Sequence, residues 1–194
     1  MKNIFTQIFL TFFFLCLPVF TLNSFAISEN EKLKKGEIIV EDFVNEEAKN
    51  GSVKMTFLVE ANVEKIWTLL VEYDKWPSFM PDLEKVVIRE NKPEFAIVYV
   101  KAKAPLNIDI SYVLKRIYNK KHYEITWTMV EGKAKEIEGS WRIFPLGKNL
   151  CKVIYTNYLD LGFIVPPKIV ALLTKQKLPN VALGMRKYLK KMAN

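Results

Sequence analysis

The sequence predicts an α+β fold in which a curved antiparallel sheet wraps around a long C-terminal helix. Three observations lead to this prediction: strand-like segments follow one another through residues 84–161, an amphipathic helix precedes them, and a second helical stretch closes the chain. Strands in direct succession indicate an antiparallel meander, because parallel strands need a long crossover between them. One alternating set of side chains on these strands must then face the closing helix.

Residues 1–26 are typical of a cleavable secretion signal. Lys2 is the only charged side chain before Glu29, and an apolar stretch follows it. Ser24 and Ala26 are small residues at the two positions that a signal peptidase reads, which predicts cleavage after Ala26. An uncleaved membrane anchor would also need about 20 apolar residues, but the small residues favour cleavage. We therefore expect an exported protein, either periplasmic or extracellular.

The remaining chain is basic and contains a single cysteine. Removal of residues 1–26 takes away one lysine and no acid, so the net charge falls from +8 to +7. Only Cys151 is left, which excludes an internal disulfide and favours a buried, inert thiol. Residues 27–35 are charged and lack apolar periodicity, so we expect a mobile lead-in. Residues 36–194 then form one domain without internal repeats.

The domain begins with two predicted strands. Residues 37–45 and 53–60 carry strand-forming side chains, and the second run alternates between apolar and polar residues. Asn50 and Gly51 lie between the two runs and are a hairpin signal, although the charged residues before them also allow a longer loop. An antiparallel pair is expected in either case.

A helix follows the second strand. Asn62 is a suitable N-cap, and apolar side chains recur at helical spacing over residues 63–74. We expect the helix to stop at Trp76 and Pro77, because the residue before a proline avoids helical geometry.

Six further strands and a second helix complete the predicted fold. Pro166 and Pro167 open the closing helix, since proline is tolerated in a first turn. Pro179 is expected to kink or divide this helix. The six strands cover residues 84–90, 94–103, 108–118, 122–130, 139–146 and 151–161.

A set of short motifs follows the order of the predicted elements: VEANVEKIW at 59–67, YDKWP at 73–77, FMP at 79–81, ITW at 125–127, GSWR at 139–142, Tyr155, and VPP at 165–167. These motifs resemble those of the START-like helix-grip (SRPBCC) superfamily, in its polyketide cyclase/dehydrase and coenzyme Q-binding branch. The resemblance spans about residues 36–188 and implies a helix-grip fold. It also implies a cup that holds a hormone, lipid, quinone, polyketide or peptide, and the fold alone does not choose among these.

A cavity beneath the closing helix would be lined by alternate residues of the strands. Its make-up is apolar and aromatic, which suits a hydrophobic ligand, although aromatic residues at strand spacing also form solid cores. The predicted ligand-binding residues are Tyr112, Leu114, Ile125, Trp127, Met129, Trp141, Ile143, Val153 and Tyr155 on the strands, and Ile169, Leu173, Val181 and Met185 on the helix.

Catalytic and metal sites have little support in the sequence. His122 is the only histidine, and its place next to a turn favours the surface. The sequence contains no HExxH, CxxC, GxSxG or GxxxxGK[ST] motif, so hydrolase, zinc-enzyme and nucleotide-binding functions are disfavoured. Glu131, Glu138 and Arg142 lie near one end of the predicted sheet, where solvated charges are favoured over acid/base groups. We predict no catalytic residue, cofactor or metal.

These observations favour an exported binding or carrier protein for a lipid, isoprenoid or quinone. An aromatase/cyclase or dehydratase acting on a polyketide-like substrate is one alternative, and an envelope interaction module without a ligand is another. The lysines near the C-terminus suggest transient contact with an anionic membrane surface. Nucleic acid is not expected as a partner, because export argues against it, and a monomer is expected.

Overall fold

The computed structural model describes residues 28–43, 49, 51–162 and 165–192. The predicted secretion signal lies outside these residues, as does Asn50 of the predicted hairpin turn. The described helices are α1 (Glu29–Lys34), α2 (Val63–Val71), α3 (Trp76–Phe79) and α4 (Pro167–Lys191). The described strands are β1 (Ile39–Asp42), β2 (Val53–Val59), β3 (Leu83–Asn91), β4 (Phe95–Lys103), β5 (Asp109–Asn119), β6 (Glu124–Gly132), β7 (Glu136–Gly147) and β8 (Leu150–Asp160).

The eight strands form one curved antiparallel sheet in the order β1-β2-β8-β7-β6-β5-β4-β3. Strands β3 to β8 are a meander in which each strand pairs with the next, and β8 closes on β2. Helices α2 and α3 lie between β2 and β3 along the chain, and α4 packs on β1, β2, β8 and α3. This architecture confirms the predicted α+β fold, with a curved antiparallel sheet around a long C-terminal helix.

Alternation along β2 shows why the sheet has one buried face. Val53, Met55, Phe57 and Val59 are each at most 1% exposed, and they face the helices. Helix α2 begins at Asn62, whose side chain accepts the N–H of Lys65 at 2.9 Å. These are the signals that the sequence carries most clearly, and both elements lie where they were predicted.

The predicted lead-in is not devoid of structure, because residues 29–34 form α1. Ser28 accepts the N–H of Glu31, and the Glu31 carboxylate accepts the N–H of Ser28, which is a capping box. Leu33 is 2% exposed, so this short helix is packed against the domain. The sequence analysis missed it because one buried apolar residue gives no periodicity.

Two expectations about prolines need correction. Trp76 has helical geometry and begins α3 immediately before Pro77, because its ring packs on Tyr73 and its Nε1 donates to the carbonyl of Leu70. Tertiary contacts thus override the local preference of a residue before proline. Pro179 does not divide helix α4, because buried side chains on both sides of the proline hold it as one element, and a kink at this residue stays a prediction.

Cys151 and His122 lie where the sequence predicted. The Cys151 side chain is buried in β8, and burial raises the pKa of its thiol. His122 lies in an exposed turn before β6. Within the described part of the chain, no helix combines the length and apolar character needed to cross a bilayer.

Candidate ligand-binding cavity

A cavity with two adjoining lobes lies between α4 and the inner face of the sheet. The outer lobe has a volume of about 150 Å³ and the inner lobe about 100 Å³. Helix α4 contributes Thr174, Lys177, Leu178 and Val181 to the outer lobe only. The two lobes share wall residues, which makes them neighbouring parts of one interior space: Met80, Leu83, Tyr112, Ile137, Tyr155 and Asn157.

Strand β5 shows how the sheet builds the inner lobe. Tyr112, Leu114 and Arg116 are two residues apart, so their side chains share one face of the strand. All three line the inner lobe, where Trp127 of β6 and Trp141 of β7 complete the wall. The inner lobe is therefore a pocket of aromatic rings around one cationic side chain.

Eleven of the thirteen predicted ligand-binding residues fall into three groups. Those that line a lobe are Tyr112, Leu114, Trp127, Trp141, Tyr155 and Val181. Those that are at most 2% exposed and belong to solid core are Ile125, Ile143, Val153 and Met185. Met129 is half-buried and packs against the core beside Gly132. Placement on a wall does not test binding, so ligand contact remains a prediction for the first group.

Ile169 and Leu173 of α4 require correction, because neither lines the cavity. Ile169 is 46% exposed, and Leu173 is half-buried outside both lobes. The prediction continued the apolar stripe of the C-terminal half of α4 back past Pro179, but the side chains that face the cavity before the proline lie at other positions. Thr174 and Lys177 occupy the cavity face instead, and their polarity hid that face from a pattern based on apolar residues.

Arg116 is the main feature of the cavity that the sequence analysis missed. Arg116 is fully buried, and its Nη1 donates to the carbonyl oxygen of Leu70 at 2.9 Å. Its Nε and Nη2 are buried without a hydrogen-bond partner. Among the described residues, no carboxylate forms an ion pair with it. The sequence did contain a signal for this placement, because Arg116 is an even number of residues from Tyr112 and Leu114 and so lies on the same face of the strand.

Three aromatic rings surround the Arg116 guanidinium. Its central carbon lies 4.4 Å from the ring centre of Trp76, 5.2 Å from that of Tyr73 and 5.6 Å from that of Trp127. Cation–π contacts of this length stabilise a buried cation through the ring faces. Burial lowers the pKa of Arg116, with nearby tyrosines acting in the opposite direction, but a guanidinium remains charged in a protein.

The phenols of the cavity remain neutral hydrogen-bonding groups at physiological pH. Burial raises the pKa of Tyr112 to about 12 and also raises the pKa of Tyr155. The hydroxyls of Tyr73 and Tyr118 bond to each other, and burial together with this bond raises the pKa of Tyr118. Within the described ranges, Arg116 is the one charged side chain that lines the inner lobe.

Charged side chains at the outer lobe are already paired. Lys177 Nζ lies 3.1 Å from a carboxylate oxygen of Asp82, which ties α4 to the start of β3. Lys103 bonds to Asp109 and lies 3.4 Å from Glu84. The cations of the outer lobe therefore have counter-charges, in contrast to Arg116.

Two glycines allow the cavity walls to come together. A Cβ on Gly184 of α4 would lie 2.3 Å from the carbonyl oxygen of Phe79, so only glycine lets α4 rest on α3. A Cβ on Gly139 of β7 would lie 2.4 Å from Cζ2 of Trp127. Both positions need a residue without a side chain because another element approaches closely.

The acid and base candidates named from the sequence lie away from the cavity. Glu131 pairs with Arg89 at 2.6 Å, Glu138 with Lys49 at 2.9 Å, and Arg142 with Glu124. In the part of the chain that the structure describes, Asp82 is the one carboxylate on the walls of either lobe. Among the described residues, no cluster of three or more His, Cys, Asp or Glu side chains could hold a metal ion.

Comparison with known families gives one match that covers most of the domain. The family described as "Polyketide cyclase / dehydrase and lipid transport" matches residues 59–186. This range runs from the end of β2 into the second half of α4, and so includes every wall of the cavity. No protein of curated function matches the sequence.

Solved structures share the fold at low sequence identity. A START superfamily protein from Mycobacterium smegmatis is 16% identical, with a TM-score of 0.64 over 73% of this chain and 98% of that protein. A STAR-related lipid transfer protein from Xanthomonas axonopodis is 15% identical, with a TM-score of 0.65 over 79% of this chain and 93% of its own. The Zhui aromatase/cyclase from Streptomyces sp. R1128 is 16% identical, with a TM-score of 0.58 over 70% of this chain and 88% of that protein.

Proposed function

Because the chain belongs to the polyketide cyclase/dehydrase and lipid transport family, we propose that it binds and carries a hydrophobic small molecule in the cavity under α4. The observation that carries this proposal is the pair of adjoining lobes between the helix and the sheet. Their walls are mostly aromatic and aliphatic, with a few polar groups, as in known ligand sites. The fold shared with the STAR-related lipid transfer protein from Xanthomonas axonopodis supports the same class of ligand.

Native mass spectrometry and solvent extraction of the protein purified from its own host would test the carrier proposal. We expect an apolar molecule to co-purify with the protein, and an environment-sensitive apolar dye to bind after its removal. Repeated recovery of protein without a bound molecule, together with no binding of the apolar dye, would contradict the carrier proposal.

Filling the outer lobe gives a matched test on one helix. Val181→Phe adds bulk on the cavity face of α4, whereas Leu183→Phe makes a similar addition where the side chain is 52% exposed. We expect dye affinity to fall in the first variant and to stay unchanged in the second. Equal behaviour of the two variants would place the dye outside the cavity.

A cyclase function is a second candidate, favoured by the polar groups inside the cavity. Arg116 and the hydroxyls of Tyr112 and Tyr155 could stabilise an enolate oxygen of a bound polyketide. Proton abstraction also needs a base, and neutral phenols with raised pKa values are poor bases at physiological pH. The carrier function is therefore preferred. Formation of a cyclised product from a poly-β-ketone thioester would reverse this preference. The third alternative, an interaction module with a filled core, lacks support because the interior holds a cavity.

The proposed site of action is outside the cytoplasm. The sequence of residues 1–26 supports export, and Edman sequencing of protein from the host envelope should give Ile27 as the first residue. Full-length protein beginning at Met1 in the cytosol would contradict this location.

The proposed membrane partner is an anionic bilayer, contacted through the outer face of α4. Ile169, Leu172 and Leu183 are about half exposed, and Lys187 and Lys190 share this face at helical spacing. We expect co-sedimentation with phosphatidylglycerol vesicles but not with phosphatidylcholine vesicles. Equal recovery with both lipids, or with neither, would remove the membrane from the mechanism.

A further inference from the structure

We infer that the cavity selects an apolar molecule that carries a carboxylate, and that Nε and Nη2 of Arg116 bind its two oxygens. This inference rests on the proposed carrier function and names the class of cargo for the same site. The observation behind it is a fully buried guanidinium with two unpartnered nitrogens on the wall of an apolar cavity.

A buried cation without a partner is costly for a folded protein. Buried polar groups in native proteins are nearly always hydrogen-bonded, and buried charges are nearly always paired. Arg116 Nη1 donates to the Leu70 carbonyl, and the nearby Tyr73 hydroxyl opposes the lowering of the Arg116 pKa by burial, but Nε and Nη2 have no partner among the described residues. A ligand that supplies acceptors for the other two nitrogens therefore removes the free-energy cost of leaving these buried donors without hydrogen bonds.

The surrounding rings do not take the place of such acceptors. Tyr73, Trp76 and Trp127 contact the guanidinium through their ring systems, with centroids 4.4 to 5.6 Å away. Contact of this kind leaves N–H donors in the guanidinium plane unsatisfied. The rings hold the guanidinium in position, and Nε and Nη2 keep no acceptor of their own.

The Nε–Nη2 edge of the guanidinium matches a carboxylate. Nε and Nη2 lie on the same side of the planar guanidinium, and a carboxylate accepts from two such donors in parallel. Arg116 contributes one positive charge to the inner lobe, which balances one carboxylate. A phosphate monoester carries about −1.5 to −2 at neutral pH, which one guanidinium does not neutralise.

The rest of the cavity suits a short apolar chain. Lys177 and Lys103 are already paired with Asp82 and Asp109, so the outer lobe does not compete for the acid group. The lobe volumes of about 150 and 100 Å³ are below the roughly 300 Å³ of common ligand sites. These sizes favour a medium-chain acid such as octanoate over a membrane phospholipid.

The test compares octanoate with 1-octanol and octyl phosphate by titration calorimetry at neutral pH. In the wild-type protein we expect octanoate to bind at least about tenfold more tightly than 1-octanol, the usual scale for a charge-assisted hydrogen bond. Arg116→Met should weaken octanoate binding about tenfold to a hundredfold and leave 1-octanol binding within about threefold. Arg142→Met makes the same chemical change on the exposed face of β7 and should alter neither affinity.

The outcomes separate this inference from the proposed function. Binding of 1-octanol as tight as that of octanoate would overturn the carboxylate inference and leave the carrier function intact. Binding of none of the three probes would overturn both. Tighter binding of octyl phosphate would replace the carboxylate by a phosphate and so contradict the inference.

Two measurements keep the inference testable if Arg116→Met does not fold. In the wild-type protein, the Arg116 Nε–H resonance should shift when octanoate is added and remain in place with 1-octanol. In Arg116→Lys, which keeps the charge but loses the planar pair of donors, octanoate should lose most of its advantage over 1-octanol. An unmoved Nε–H resonance during saturating octanoate binding would show that Arg116 has only a structural role.

Discussion

The interior of this protein has two regions that differ in how completely they are filled. In the closed region, Phe57, Ile143 and Val153 are cross-strand neighbours, Ile125 lies on the next strand, and all four are at most 2% exposed and line neither lobe. In the cavity region, side chains from the same sheet enclose two lobes of about 150 and 100 Å³. Both regions use alternate residues of antiparallel strands, so the backbone alone does not create the cavity.

The difference lies in the side chains. The closed region holds aliphatic side chains and Phe57, whereas tyrosine and tryptophan rings and the small residues Ala102 and Ala104 line the cavity region. The comparison teaches that a binding site can be built by changing side chains on strands that otherwise form a core.

The largest expected effect comes from making one substitution in both regions. Ile125→Ala should lower the free energy of unfolding by about 3–5 kcal/mol, because it opens a hole in a filled core. Ile137→Ala should cost about 1–2 kcal/mol, because Ile137 lines both lobes and already lacks neighbours on that side. Urea unfolding of the two variants measures the difference. Equal losses would mean that the two regions are packed alike.

Removing the buried charge of Arg116 should raise the free energy of unfolding, whereas the two alanine substitutions lower it. Arg116→Met is expected to raise the free energy of unfolding of the empty protein by about 1–3 kcal/mol, because an apolar side chain needs no counter-charge. The Leu70 carbonyl would keep Trp76 Nε1 as a donor. Urea unfolding checks this, with Arg142→Met as the control for loss of a surface arginine. A destabilised Arg116→Met protein would instead mean that the ring cluster depends on the guanidinium.

The contrast also explains what the sequence could predict. Alternation in β2 and in the meander, together with the spacing in α2, correctly predicted the fold and placed five of the named strand residues on the cavity walls, and the apolar stripe of α4 placed a sixth, Val181. Arg116 was overlooked because a charged side chain is normally assigned to the solvent face, even though its parity matched Tyr112 and Leu114. Whether side chains close a core or leave a space depends on contacts between distant strands, which no local pattern contains.

The position of α4 provides a smaller effect. Gly184→Ala should cost about 1–3 kcal/mol and weaken binding of an apolar dye, because its Cβ would push α4 away from the Phe79 carbonyl at the cavity. Gly147→Ala is the matched control, since a Cβ there meets nothing within 4 Å. Thermal unfolding and dye titration measure both effects. If the Gly184 variant behaves like the control, close contact between α3 and α4 is not needed to form the cavity.

The smallest effect concerns the other buried charge, Asp160, which has the partners that Arg116 lacks. Lys135 Nζ lies 3.0 Å from its carboxylate, and the Gly162 N–H donates at 2.8 Å. Burial by itself would raise the pKa of Asp160, but these bonds outweigh burial and hold the pKa below its ordinary value. A lowered pKa in the folded state stabilises the protein above the unfolded pKa of about 3.9, and this contribution is lost as the pH falls through the folded pKa.

Asp160→Asn should therefore cost about 1 kcal/mol at pH 7, because Lys135 is largely exposed and the amide oxygen can still accept from Gly162. The difference from wild type should shrink steadily as the pH is lowered below about 4, where the wild-type carboxyl also becomes neutral. Urea midpoints over this pH range measure it, and Asp42→Asn, at an exposed carboxylate paired with Lys175, should show little difference at any pH. A cost for Asp160→Asn that is the same at both ends of the range would mean that the carboxylate acts by its shape and not by its charge, and the contrast with Arg116 would then lose its electrostatic basis.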